Sequence, residues 1–171
     1  MGISDLALGG SDRSLRGLLV RDHRLGSIPG SQIPSTGEVM RIIVTGSREW
    51  GGVYGTNRIH AILDKVHELA HVLGQKLTVV HGDYVRGADR IVDSWARRRE
   101  ADGVTVEPHP AQWSVLGKRA GPMRDQAMVD KGADMCIGFV RGTSPGTQLT
   151  LALARNAGIP AFTVYWEEEV E

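Results

Sequence analysis

Residues 40–47 read MRIIVTGS, and this stretch indicates how the chain folds. It is a β-branched, apolar run that ends in glycine, which is typical of a buried strand. Strands that are apolar along their whole length belong to parallel sheets, because helices cover such sheets on both faces. We therefore predict that residues 40–47 form a strand of a parallel sheet.

The rest of the chain alternates between helical and strand patterns. Further strands are predicted at KLTVVHG (76–82), VTVEP (104–108), DMCIGFV (134–140) and AFTVYW (161–166). Helical patterns lie between them, at 59–73, 88–96, about 117–131 and 146–158. This alternation predicts an α/β domain with a parallel sheet of about five strands and helices on both faces.

Composition narrows the class of protein. Lys and Arg together number 20, as do Asp and Glu, so the chain has no net positive charge that would attract nucleic acid. The single cysteine, Cys136, excludes an internal disulfide and favours a cytoplasmic location. No apolar run is long enough to span a membrane. Residues 1–39 are rich in Gly, Ser and Arg; we expect a poorly ordered extension there, and a folded domain over residues 40–171.

Small and basic residues follow the predicted strands. In open parallel sheets, ligands bind beyond the carboxyl ends of the strands, where the strand order reverses. Glycine admits a ligand close to the backbone, helix-start amides donate to phosphate, and arginine can bind it with two hydrogen bonds. The candidate ligand-binding residues are Gly46, Ser47, Arg48, His81, Gly82, Asp89, Lys118, Arg124, Arg141, Gly142, Thr143, Ser144, Gly146 and Thr147.

The loop RGTSPGT, residues 141–147, has two interpretations. It can cradle phosphate, because Gly142 and Gly146 let a ligand come close to the backbone. In this interpretation Gly146 also adopts unusual backbone angles. It can equally be an ordinary turn with Thr147 as the helix cap. The loop lacks the G-K-[ST] of a P-loop, and Gly46-Ser47-Arg48 lacks the dinucleotide fingerprint G-x-G-x-x-G. These absences disfavour NAD as a redox cofactor and ATP hydrolysis. We expect no cofactor and no metal.

Four segments carry a family resemblance: VTGSREW (44–50), HGDYVRGADRIVDSWA (81–96), PAQWSVLGKRAGPMRDQAM (110–128) and RGTSPGTQLTLALARNAGIPAF (141–162). Together they resemble the YspA/cpYpsA-related branch of the SLOG superfamily, which joins DprA-like and LOG-like Rossmannoid proteins. The resemblance implies a three-layer Rossmann-like fold and a pocket for a nucleotide-derived ligand between the first loop and the G-T loop. It also favours a homodimer.

The resemblance has one departure. LOG phosphoribohydrolases use a glutamate just after their G-G-x-G-T loop, whereas this chain has Gln148 after Gly146-Thr147. A glutamine can neither accept a proton nor offset the charge of an oxocarbenium-like transition state. Arg124 and Met128 match the R-x-x-x-M motif that gives LOG relatives a substrate arginine. Arg124 and Asp125 are the catalytic candidates, and Asp83 or Asp89 can also replace the missing carboxylate.

Several candidates have structural alternatives. Each arginine can form a surface ion pair, and Asp89 can cap a helix or compensate its dipole. Lys118 can lie at the solvent-exposed start of a helix. His81 can have a structural role, forming hydrogen bonds at the end of its strand. Trp113 can stack on a base or cover the edge of the sheet.

The segment HELAH, residues 67–71, spells the zinc-peptidase motif H-E-x-x-H. On a helical wheel Glu68 faces away from the apolar stripe, and no later residue pattern supplies a third ligand. We interpret the match as accidental.

Three functions fit these patterns. The first is binding or sensing of a nucleotide-derived molecule. The second is LOG-like hydrolysis of the N-glycosidic bond of a nucleoside monophosphate. The third is DprA-like binding of single-stranded DNA through Arg97-Arg98-Arg99, which charge neutrality and few aromatic residues disfavour.

Overall fold

The structure is a computed structural model and describes residues 38–167. Its centre is a five-stranded sheet in which every neighbouring pair is parallel, in the order β3-β2-β1-β4-β5. The strands are β1 (Val39–Gly46), β2 (Lys76–His81), β3 (Val104–Pro108), β4 (Met135–Val140) and β5 (Ala161–Tyr165). The predicted parallel sheet of about five strands is confirmed.

Five helices connect the strands. They are α1 (Gly52–Val72), α2 (Ala88–Arg97), the one-turn α3 (Trp113–Leu116), α4 (Ala120–Asp130) and α5 (Pro145–Asn156). Short 3₁₀ turns lie at Glu100–Asp102 and Gly117–Arg119. None of the helices within residues 38–167 is long and apolar enough to cross a membrane.

Alternate residues of β1 face two separate cores. Ile42 and Val44 pack in one core with apolar residues of α1 and α2, including Ile59 and Trp95. Ile43 faces the other core, which includes residues of α4 and α5. Because β1 is buried on both faces, it has the continuous apolar character that predicted a three-layer α/β fold.

The strand order reverses between β1 and β4. The chain runs outward from β1 through β2 to β3, and then returns to place β4 on the other side of β1. Crossovers on the two sides of this point cover opposite faces of the sheet, so the loops after β1 and β4 separate and leave a crevice. The position at which the strand order reverses is called the switch point, and the crevice lies there.

Some predicted boundaries differ from the structure. Strand β1 begins at Val39, one residue before the predicted strand, and residues 1–37 of the predicted extension lie outside the described residues. The helix expected over about 117–131 begins at Ala120. It is separated from α3 by Gly117, whose φ of 54° belongs to the left-handed region that favours glycine.

Candidate functional site

A cleft of about 750 Å³ opens at the carboxyl edge of the sheet, and we call it the switch cleft. Loops after β1, β2, β3 and β4 line it, together with one side of α4. The lining residues are Thr45, Gly46, Ser47, Arg48, Glu49, Gly82, Asp83, Tyr84, Val85, Asp89, Pro110, Ala111, Trp113, Arg124, Asp125, Met128, Arg141, Gly142, Thr143, Ser144, Pro145, Gly146 and Thr147.

The loop after β1 packs closely on the start of α2. The carbonyl of Ser47 accepts hydrogen bonds from the amides of Trp50 (3.1 Å) and Ala88 (3.2 Å), and its hydroxyl accepts one from the amide of Glu49 (3.1 Å). At Gly87, which has φ 72°, a Cβ would lie 2.5 Å from the Ser47 carbonyl oxygen. This close packing fixes the Gly46–Arg48 side of the cleft.

The β4–α5 loop forms the opposite wall. Helix α5 begins at Pro145, and Ser144 precedes it with φ 37°. The Ser144 hydroxyl donates to the carbonyl of Arg141 (2.6 Å). Among the described residues, no carbonyl accepts from the amides of Gly146 and Thr147, which are first-turn amides of the helix. These donors and the positive end of the helix dipole favour an anion here.

Arg124 lies deep in the cleft and joins three segments. Its Nη1 donates to the carbonyl of Gly82 and to that of His109 (3.2 Å), and its Nε donates to Asp125 (2.6 Å). A Cβ at Gly82 would overlap the guanidinium, so glycine at the end of β2 makes room for the arginine. Within residues 38–167, Nη2 has no hydrogen-bond partner.

Two buried carboxyl groups accompany Arg124. Asp89 accepts the amide of Tyr84 (3.1 Å), and Asp125 accepts from Arg124. Burial raises the pKa of Asp89, an effect that the Tyr84 N–H opposes. Burial also raises the pKa of Asp125, against the nearby charge of Arg124. The cleft therefore holds carboxyl groups that take up protons more readily than exposed ones do.

The other two candidate arginines lie on aromatic rings. The guanidinium of Arg48 is 4.3 Å from the centre of the Tyr84 ring. That of Arg141 is 4.0 Å from the centre of the Trp166 ring, and its Nη1 donates to the carbonyl of Glu49 (2.7 Å). Stacking orients a guanidinium while its edge can still donate hydrogen bonds.

Comparisons with known proteins identify the family of this chain. The family model described as YspA, cpYpsA-related SLOG family matches residues 40–114. The Gene 61 protein of Mycobacterium phage D29 is 43% identical over 122 residues, which are 70% of this chain and 92% of the phage protein. This chain belongs to the YspA, cpYpsA-related SLOG family. SLOG membership suggests a nucleotide-related binding or LOG-like role.

A solved structure also matches this SLOG protein in part. It is the C-terminal domain of a hydrogenase from Pyrococcus furiosus, 14% identical, with a TM-score of 0.41. The match covers 77% of this chain and 95% of the hydrogenase domain.

The switch cleft of the SLOG protein brings together most of the residues predicted from sequence. Gly82, Asp89, Arg124 and Asp125 line it together with the first loop and the β4–α5 loop. The proposed cap role of Thr147 is wrong, because Ser144 precedes α5 and Thr147 lies in its first turn. Unusual backbone angles at Gly146 are also absent, since the positive φ values in this loop belong to Gly142 and Ser144.

Two predicted residues lie elsewhere. Lys118 is in an exposed 3₁₀ turn and does not line the switch cleft. His81 is fully buried: its Nε2 lies 3.2 Å from Asp93, and its Nδ1 accepts the amide of Asp83 (3.0 Å). It belongs to the wall of a smaller cleft of about 350 Å³, on the Asp93 side of the loop after β2. The alternative of a structural hydrogen-bonding role fits this position.

The other motifs lie away from the switch cleft. His67 of HELAH packs edge-on against Trp95, with ring centres 6.1 Å apart, and Glu68 pairs with Lys65 (3.1 Å). In residues 38–167 no group of three His, Cys, Asp or Glu side chains could hold a metal ion. Of the three consecutive arginines, Arg97 pairs with Asp93 (2.9 Å) and Arg99 with Asp64 (2.7 Å).

Sequence reasoning missed the loop segments that complete the cleft. Tyr84 and Val85 follow the second strand, and Pro110 and Ala111 follow the third. Their positions just after strand ends were a usable signal, but none of these four side chains carries a charge that would mark it as a phosphate ligand. Glu49 was missed because an acidic residue is not expected beside an anion.

Proposed function

We propose that this chain binds a nucleotide or nucleotide-derived small molecule in the switch cleft. The observation that carries the proposal is the convergence of residues 46–48 and 141–147, which are far apart in the sequence and line one cleft. Such convergence at a switch point is the usual arrangement for ligands of open α/β sheets.

The chemistry of the cleft supports an anionic ligand. Arg48 and Arg124 bring positive charge, and the amides of Gly146 and Thr147 are available at the start of α5. The dipole of α5 would add about 0.3–1 kcal/mol for an anion at this position. Arginine side chains and helix-start amides both donate hydrogen bonds to phosphate, so these groups favour a phosphorylated ligand.

A panel of ligands tests the proposal. We expect nucleoside monophosphates or ADP-ribose to raise the melting temperature of the protein, with the dissociation constant measured by calorimetry. A ligand at one hundred times its dissociation constant stabilises the folded state by about 2.7 kcal/mol. If no member of the panel shifts the transition or gives binding heat, the proposal is wrong.

Gly146→Val is the variant that separates binding from folding. A Cβ at Gly146 would meet no atom within 4 Å, so the valine would project into open space beside the free amides. We expect at least a tenfold loss of affinity with a melting temperature within about 2 °C of wild type. Ala152→Val is the matched control, because Ala152 is exposed on the same helix and does not line the cleft.

LOG-like hydrolysis remains a second candidate because of the two buried carboxyl groups. A carboxyl group with a raised pKa can act as a general acid, and both Asp89 and Asp125 line the cleft. Gln148, at the position of the LOG glutamate, is exposed and does not line the cleft. Incubation with nucleoside monophosphates distinguishes the functions, because an enzyme releases free base and a binding protein leaves the ligand intact.

A further inference from the structure

The switch cleft changes in chemical character along the edge of the sheet. After β3 its lining is apolar, with Pro110, Ala111 and Trp113. After β4 it is made of glycines, hydroxyl groups and the free amides of α5. Building on the proposed function, we infer that the ligand binds in one orientation, with a planar base against Trp113 and its phosphate at the β4–α5 loop.

Trp113 is exposed to an extent unusual for this protein. Its exposed fraction is 47%, whereas Trp50 and Trp95 are at 1% and 0%. Tryptophan is highly buried on average, and an indole left half exposed in a cleft offers a flat apolar surface to a partner. The ring is therefore available to a ligand that enters the switch cleft.

The position of Trp113 is fixed by its own backbone and by α4. Its amide donates to the carbonyl of Ala111 (3.0 Å). At Gly121, near the start of α4, a Cβ would lie 3.1 Å from Cη2 of the indole. Because glycine leaves this space open, the tip of the ring rests against α4 while the residue still lines the cleft. A ring held in this way needs little ordering when a base stacks on it.

The order of strands in the sheet sets the distance between the two ends of the switch cleft. β3 and β4 are three positions apart in the order β3-β2-β1-β4-β5. With strands about 4.8 Å apart, the loops that follow them start roughly 14 Å apart. A free phosphate or a small sugar phosphate cannot reach both ends, whereas an elongated molecule with a ring at one end and an anion at the other can.

The middle of the cleft is polar, which also fits this orientation. Asp83 and Asp89 follow β2, which lies between β3 and β1 in the sheet. Carboxylate oxygens accept hydrogen bonds from hydroxyl groups, such as those of a ribose between base and phosphate. In this orientation the base, sugar and phosphate of the ligand meet the loops after β3, β2 and β4 in turn.

Calorimetry on the full chain tests the inference with two kinds of probe. AMP and ADP-ribose carry a base, and ribose 5-phosphate carries the same sugar and phosphate without one. Trp113→Leu is expected to weaken binding of AMP and ADP-ribose about tenfold or more and to leave ribose 5-phosphate unchanged. Trp113→Phe should keep most of the affinity. The matched control is Val115→Ala, a residue 75% exposed in the same short helix and outside the cleft.

Tryptophan fluorescence gives an independent measurement. AMP or ADP-ribose should quench the wild-type emission, and the quenching should be much smaller in Trp113→Phe at saturating ligand. Unchanged quenching, or unchanged AMP affinity in Trp113→Leu, would overturn the orientation while leaving the proposed function intact. If wild type binds none of the three probes, the proposed function fails, and the orientation fails with it.

Discussion

At the scale of single residues, Asp89 is a buried carboxylate that lines the switch cleft. It is 8% exposed, lines the switch cleft, and accepts the amide of Tyr84. Its side chain does not cap α2, because Gly87 holds the cap position and no side-chain bond caps that helix. The capping alternative is therefore wrong, whereas the dipole alternative fits, because Asp89 lies in the first turn of α2, where a carboxylate is favourable. Its carboxylate also closes the loop that carries Tyr84.

We predict that Asp89→Asn stabilises the unliganded protein at pH 7. Burial raises the pKa of Asp89 above its ordinary 3.8, so the folded state holds the proton more tightly than the unfolded state. The contribution of protonated Asp89 to the free energy of unfolding is therefore fully present below pH 3.8. It is lost as the pH rises through the folded-state pKa. Asparagine stays neutral and still accepts the Tyr84 amide. Melting temperatures from pH 3 to 8 should show a gain over wild type that grows with pH.

The control for this prediction is Asp83→Asn. Asp83 is an exposed carboxylate in the same loop, and asparagine tolerates its positive φ of 53°. This variant should leave the melting temperature near that of wild type at every pH. Equal effects of the two variants would contradict the burial argument.

At the scale of elements, the end of β1 and the start of α2 approach unusually closely. A Cβ at Gly46 would overlap the Cβ of Ala88 and lie 3.1 Å from the Cβ of Phe139. The amide of Ser47 donates to the carbonyl of Phe139 (2.8 Å), which joins the β1 loop to β4. Gly46 therefore lets a helix and two strands meet at the floor of the cleft.

We predict that Gly46→Ala lowers the free energy of unfolding by about 1–3 kcal/mol. The neighbours that the new methyl group would meet are backbone-anchored Cβ atoms, which cannot rotate away, so α2 would have to shift. Urea unfolding measures the effect. Gly51→Ala is the control, since its Cβ would meet nothing within 4 Å and its φ of −176° suits any residue. If Gly46→Ala lowered the free energy of unfolding no more than Gly51→Ala does, the packing argument would be contradicted.

At the scale of the whole molecule, Glu107 ties together segments that are distant in sequence. It accepts from Arg41 of β1 (3.0 Å), from Lys131 after α4 (2.9 Å), and pairs with His109 (2.6 Å). Partial burial would raise the pKa of Glu107, but these hydrogen bonds outweigh it and hold the pKa at about 2. The network sits near β3, at one edge of the sheet.

We predict that Glu107→Gln destabilises the protein by about 1 kcal/mol at pH 7, since partly exposed ion pairs contribute only modestly. The folded-state pKa is depressed, so the stability from Glu107 is present above its ordinary value of 4.5 and is lost as the pH falls toward 2. Urea unfolding at several pH values should show the two proteins converging at low pH. Glu68→Gln, at an exposed pair on α1, is the control and should change stability by less than about 0.5 kcal/mol.

Two expectations about the whole molecule stay predictions: a homodimer and a cytoplasmic location. Sedimentation analysis of the full chain measures the first directly. The poorly ordered extension expected over residues 1–39 likewise stays a prediction, because residues 1–37 lie outside the described part of the chain.

The sequence by itself determined the alternation of strands and helices, the parallel sheet and the family. Apolar periodicity is a local property, and burial on both faces of β1 leaves a continuous apolar run at Ile42, Ile43 and Val44. The same logic placed Gly46, Gly82 and the 141–147 loop at strand ends, where a parallel sheet collects them on one edge.

Only the tertiary structure decided which polar side chains face the cleft. His81 and Asp89 both belong to the segment that follows β2, yet one is buried against Asp93 and the other lines the switch cleft. Lys118 has the right chemistry for phosphate but sits in an exposed turn set by Gly117. Side-chain direction depends on backbone turns and on partners contributed by distant elements, and neither can be read from local spacing.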